Sequence, residues 1–172
     1  SVALVPQKAW CSHASVRENV CFARAYERAR YRRVVRACAL EADFAQMPAG
    51  DATEIGEKGI NLSGGQKQRV ALARALYADA DTYLLDDCLS AVDAHVAQHL
   101  FARVVVGALR QRGKAVMLVT HNLATVPRAD RVLLLERGGV GYFGAPAGFL
   151  ALGLAGGSGE AGDGERGGDA GA

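Results

Sequence analysis

The chain has 172 residues, a formal net charge of +2, 50% hydrophobic residues and 6% aromatic residues. That length suits one ordinary domain with its own core, and the near-neutral charge gives no field strong enough to argue for nucleic acid or acidic lipid. No apolar run approaches the ~18 residues a membrane span needs, and no basic-then-apolar leader opens the chain.

Val2 to Val5 reads as a short buried strand stopped by Pro6, and the absence of an initiator Met before it reads as a piece of something longer. Ser15 and Glu18 form an S-x-x-E capping box that opens a helical turn through Val20. A second helix is expected from Tyr26 to Leu40, with Tyr31, Val34, Val35 and Cys38 on one side. Arg28, Arg30, Arg32, Arg33 and Arg36 read as its solvated face rather than as a nucleic-acid patch. Met47 to Gly59, broken by one proline and several glycines, reads as loop.

A third helix is expected from Ser63 to about Tyr77, followed by a strand from Thr82 to Leu85 that ends on Asp86 and Asp87. Ala94 to Leu109 places Val96, Leu100, Val104 and Ala108 at helical spacing. Ala115 to Thr120 is another apolar strand, followed at once by His121. Arg131 to Glu136 and Val140 to Phe143 flank Arg137-Gly138-Gly139 as a hairpin, and Pro146 to Leu152 is a short helix. From Gly153 the sequence is Gly-rich with nothing to bury, the composition of a tail or linker. Strands alternating with helices imply an α/β fold with a mainly parallel sheet and covered faces. Cys11, Cys21, Cys38 and Cys88 show neither C-x-x-C pairing nor a His at ligand spacing, which favours reduced thiols over a zinc site.

The chemistry concentrates in five places. Ser63-Gly64-Gly65-Gln66 combines a second capping box with two glycines at a helix start, where N–H groups and the helix dipole favour a phosphate or carboxylate. Tyr83-Leu84-Leu85-Asp86-Asp87 is a hydrophobic strand ending in acids, the arrangement by which P-loop ATPases hold Mg²⁺, with the second acid able to orient water. Ser90-Ala91-Val92-Asp93 follows, and His121 stands at the C-terminal edge of a strand, where ligands bind in parallel α/β sheets. Gln7, just after the first strand, offers an amide to a metal or water.

In this order the segments resemble the nucleotide-binding domain of ABC transporters, over essentially Ser1 to Leu152. Pro48-Ala49-Gly50-Asp51 and Thr53 to Gly59 are similar to the C subfamily, the multidrug-resistance-associated type. Leu62 to Val70 and Ser90 to Val96 are similar to the first of its two ATPase domains. The resemblance implies a P-loop NTPase-like core with an inserted helical subdomain at about 15–77, in a partial domain 1–152 whose N-terminal part is missing, and a tail at 153–172. It implies that Leu62 to Gln66 is the signature motif, Gln7 the Q-loop glutamine, Asp86 the Walker B acid, Asp87 the catalytic-carboxylate position, Asp93 part of the D-loop and His121 the switch histidine. ATP and Mg²⁺ follow as cofactors, with Asp86 and Gln7 toward the metal. Asp87, Gln7 and His121 would act in hydrolysis. Ser63, Gly64, Gly65, Gln66 and Asp93 would face ATP held by a second ATPase domain in a head-to-tail dimer. The other partners implied are the transmembrane domains of an exporter, at the cytosolic face of a membrane, with no nucleic acid.

Three features depart from the pattern. The sequence contains no G-x-x-x-x-G-K-[ST] phosphate loop, so the chain alone is expected to bind ATP weakly. Asp87 is one methylene shorter than the Glu of an active site, which implies a slow or degenerate site. Cys88 stands where the family usually has Pro. Two other classes stay open: a soluble ABC ATPase acting on DNA or ribosomes, and a non-catalytic truncated module that only binds a partner.

Overall fold

A computed structural model describes residues 1–56 and 61–153. Residues 57–60, which include part of the multidrug-type stretch, and the glycine-rich segment from 154 lie outside the described residues. The chain divides into two compact units, Ser1–His121 and the segment from Asn122 onward.

In the first unit, β1 (Val2–Val5), β2 (Thr82–Asp86) and β3 (Ala115–Val119) form a parallel sheet in the order β1-β2-β3. Leu4 pairs with Leu84, and Leu84 with Met117, so the three strands end together at one edge. Between β1 and β2 lie α1 (Val16–Cys21), α2 (Arg28–Ala37), α3 (Glu41–Gln46) and α4 (Gly64–Ala78). Between β2 and β3 lies α5 (Ala94–Leu100), which continues as π-helix through Phe101–Leu109. The amphipathic stripe expected there holds, with Leu100 and Val104 fully buried, although the hydrogen-bond pattern changes after its first two turns.

The centre of this unit is α4, which packs against α1, α2 and β1. Its Val70, Leu72, Ala73 and Tyr77 are buried, and each large apolar side chain removed from water contributes about 1.5–3 kcal/mol. The Tyr77 hydroxyl donates to the Ala25 carbonyl at 2.6 Å and accepts from the Glu27 N–H at 2.8 Å, fixing the turn between α1 and α2. Both capping boxes form: Ser15 with Glu18 on α1, and Ser63 with Gln66 on α4. In α2, Tyr31, Val34 and Val35 face the core and Arg28, Arg32, Arg33 and Arg36 are exposed.

The expectation of two covered sheet faces is corrected among the described residues. Val5, Ala3, Tyr83 and Leu85 are buried, but Val2, Leu4, Met117 and Val119 on the opposite face are about half exposed or more. Right-handed crossovers that advance in one direction place their helices on one face only. The second unit comprises a 3₁₀ turn (Leu123–Arg128), the antiparallel hairpin of β4 (Val132–Glu136) and β5 (Gly139–Gly144), and α6 (Pro146–Ala151). Phe149 of α6 is its buried anchor, 6.0 Å from the Tyr142 ring.

Candidate nucleotide site

Two groups of residues converge. The first lies along the C-terminal edge of the parallel sheet. Gln7 follows β1, Asp86 ends β2 with Asp87 beside it, and His121 follows β3. The Asp87 N–H donates to the Val119 carbonyl at 3.0 Å, and its φ of +45° turns the chain sharply out of the strand. Its carbonyl accepts from the Ser90 hydroxyl at 2.9 Å, so the turn is pinned on both sides. Cys88 is buried in that turn, where burial pushes its thiol up to about 12. The Pro expected at this position is thus replaced by a packed thiol inside a hydrogen-bonded turn.

The Gln7 amide makes a long 3.5 Å contact from Nε2 to Asp87 Oδ2. An ionised carboxylate only accepts, so this contact presents the amide nitrogen to Asp87 and turns Oε1 away from it. Asp86 and Gln7 are both exposed and are hard oxygen donors. Among the described residues no group of three or more His, Cys, Asp or Glu could cage a metal. That donor set fits Mg²⁺, which takes one or two protein oxygens and completes its shell with phosphates and water.

The second group lines a cleft of about 400 Å³ formed by Ser63, Gly64, Gly65 and Arg69 of the α4 start and by Ala91, Val92, Asp93 and Val96. A Cβ on Gly65 would lie 2.9 Å from the Ala91 carbonyl oxygen, so only glycine lets these two segments approach so closely. Gly64 faces open space. The Ser63 hydroxyl accepts from the Gln66 N–H at 3.2 Å, and Gln66 Oε1 accepts from the Ser63 N–H at 2.9 Å. Asp93 caps α5 by accepting from the Val96 N–H at 3.0 Å, a bond that holds its carboxyl below the ordinary range. The first turn of α4 has N–H groups with no intrahelical acceptor and the positive end of the dipole, the elements of an anion site.

Residues that sequence reasoning did not single out tie the two groups together. The Gln68 amide, buried in α4, donates to the Pro6 carbonyl at 3.2 Å. Arg74, one turn and a half further on, donates to the Asn19 carbonyl at 2.9 Å and to the Trp10 carbonyl at 3.2 Å. Its guanidinium lies 4.0 Å from the Trp10 ring centroid. The helix that begins at the cleft therefore also fixes the segment that carries Gln7. Their signal in the sequence was only membership of the run after Gln66, because Gln68 meets a backbone carbonyl that any residue supplies and the partners of Arg74, Trp10 and Asn19, lie 64 and 55 positions away.

Comparison with known proteins identifies the family. Residues 1–90 match the family model described as ABC transporter. The chain is 53% identical over 144 residues to ATP-binding cassette sub-family C member 3 of Homo sapiens, covering 84% of this chain and 9% of that protein. It is 54% identical over 139 residues to Multidrug resistance protein mrp-7 of Caenorhabditis elegans (80% and 9%). It is 52% identical over 157 residues to the Pleiotropic ABC efflux transporter of multiple drugs YBT1 of Candida glabrata (91% and 10%). The chain thus spans about a tenth of the length of these curated relatives. No described helix is long and apolar enough to cross a membrane. With a parallel α/β sheet, a glycine-gated cleft at a helix start and these relatives, the chain belongs to the ABC transporter family, as nucleotide-binding-domain sequence of the C-subfamily type.

Proposed function

We propose that this chain is part of the ATP-driven motor of a C-subfamily exporter and that its two residue groups serve two different nucleotides. Ser63, Gly64, Gly65 and Gln66, with Asp93, face the phosphates of ATP held by a second ATPase domain. The Ser63 hydroxyl and the N–H groups of the first α4 turn donate to phosphate oxygens, while Gln66 keeps the helix start in register. Gln7, Asp86, Asp87 and His121 serve ATP held by the domain to which this chain belongs. Asp86 and the Gln7 amide oxygen are the residues that would hold Mg²⁺, which would neutralise phosphate charge when bound. Asp87 orients the attacking water, and His121 reads the terminal phosphate.

In this reading 1–152 is ATPase domain, with its helical subdomain at about 15–77 toward the transmembrane domains, and 153–172 is tail or linker. The sequence is most like a first ATPase domain, with an intact signature and a shortened acid at Asp87. The observation that carries the proposal is the cleft in which Gly65 meets Ala91 and brings Ser63 and Asp93 to one surface. Its test is an asymmetry in the full-length transporter. Ser63→Arg, which fills a cleft completing the competent site, should reduce ATP-dependent transport into vesicles at least tenfold more than Asp87→Ala does, and equal losses would count against it.

A further inference from the structure

The cleft's geometry depends on a carboxylate that lies outside it. Asp43, on the short helix α3, accepts from Gln66 Nε2 at 3.0 Å through Oδ1. The same carboxylate takes both terminal nitrogens of Arg69, one on each oxygen, and Arg69 also donates to the Ala39 carbonyl. Ala39 sits at φ +53°, so the turn that precedes α3 is itself shaped around this contact. The pair is well buried, with Arg69 14% and Asp43 11% exposed.

We propose that Asp43 is a positioning residue for the signature motif, acting through Gln66 and Arg69; this rests on the nucleotide-facing role of the cleft given above. The effect is electrostatic. An ionised carboxylate accepts hydrogen bonds and cannot donate, so it dictates which end of the Gln66 amide faces it. With Nε2 turned to Asp43, Oε1 is left for the Ser63 N–H, the bond that closes the capping box from outside. Asp43 therefore selects the amide orientation that holds Ser63 at the N-cap and directs the first α4 turn into the cleft. Its second effect is on Arg69, which lines the same cleft. The bidentate pair fixes the guanidinium plane and neutralises it, so that it neither swings across Ser63 nor competes for the anion.

A purely structural ion pair would stabilise the fold without touching nucleotide affinity, and the molecule contains a second bidentate pair for comparison. Arg17 and Asp51 form another bidentate pair, at 3.0 and 2.7 Å, that holds α1 away from the cleft. In the full-length transporter, Asp43→Asn and Asp51→Asn are compared by ATPase kinetics normalised to folded protein. Asp43→Asn is expected to raise KM for ATP about tenfold, the size of one charge-assisted hydrogen bond, with kcat within about twofold. Asp51→Asn is expected to leave KM unchanged. An unaltered KM in Asp43→Asn, or the same rise in both variants, overturns the proposal.

Removing a partner from a buried pair can prevent folding altogether. If Asp43→Asn does not accumulate, Asp43→Glu is read in its place, since it retains the charge for Arg69 but displaces the oxygen that meets Gln66. A KM raised about threefold or more supports positioning, and a wild-type KM overturns it. Ser63→Arg, run alongside, separates the two levels of inference. If it leaves ATPase activity intact, the nucleotide-facing role of the cleft fails, whatever Asp43 does.

Discussion

At the scale of single residues, the two glycines of the α4 start have different duties. A methyl group on Gly65 would press on the Ala91 carbonyl at 2.9 Å, a backbone atom that cannot swing away, while one on Gly64 would meet nothing within 4 Å. In urea unfolding of the chain, Gly65→Ala should therefore lose about 1–3 kcal/mol through overpacking. Gly64→Ala should be neutral or gain up to about 1 kcal/mol from the better helix former. Equal effects would mean that the approach of the two segments is not set by Gly65. Asp87 offers a second residue-scale prediction. Its backbone is fixed by Val119 and Ser90, so a longer side chain extends from a stationary origin. In the full-length protein, Asp87→Glu should then move the carboxylate about 1 Å toward the water and speed hydrolysis at this slow site, so that total ATPase turnover rises by up to about twofold over that of the competent site alone. Turnover that stays at the wild-type rate counts against Asp87 as the water-orienting acid.

At the scale of elements, local signals and distant ones separate cleanly. Both capping boxes were legible because the partners lie three residues apart, Ser15 with Glu18 and Ser63 with Gln66. By contrast, α3 was not anticipated. It starts at Glu41 after an N-cap, Leu40, that offers no side-chain hydrogen bond, buries no residue fully, and is held by Asp43 to residues 23 and 26 positions away. The loop expected over Met47 to Gly59 is described as far as Gly56, and over that stretch it is tied down. It pairs with α1 through Val16 N–H to the Thr53 carbonyl at 3.1 Å, and through Ile55 N–H to the Ala14 carbonyl at 3.0 Å. Arg17 and Asp51 complete this attachment. Burial pushes the Asp51 carboxyl up, but the hydrogen bonds and charge of Arg17 together with the Tyr31 hydroxyl outweigh it and hold the group below its ordinary value. A carboxyl depressed in the folded state contributes stability that is present above its unfolded pKa and is lost as pH falls through the folded one. The thermal midpoint should therefore drop as pH falls below about 4. Asp51→Asn should lower the midpoint at pH 7 and flatten that acid limb. An acid limb with the wild-type slope in Asp51→Asn would assign the pH dependence to other carboxyls.

At the scale of the whole molecule, the apolar strands were legible but the layer that covers them was not. Runs such as Val2 to Val5 and Ala115 to Val119 specify strands with two apolar faces, the pattern of a parallel sheet enclosed on both sides. They do not specify which polypeptide encloses them. The two crossovers described here supply helices to one face, leaving Val2, Leu4, Met117 and Val119 between 48% and 66% exposed on the other. Contiguous apolar surface of this kind on a free chain drives association, because burying it costs no hydrogen bond and releases water. Sedimentation velocity on the 172-residue chain should accordingly show association that grows with concentration. The double substitution Leu4→Lys and Met117→Lys places a charge on each outer strand of the same face and should return the chain toward monomer. It should do so with little loss of folding cooperativity, since neither side chain contributes to the buried cluster formed by Val5, Tyr83 and Leu85. Association that persists in the double variant would move its origin elsewhere. The exposed hairpin residues Leu135, Val140 and Phe143 of the second unit would then be the next surface to charge.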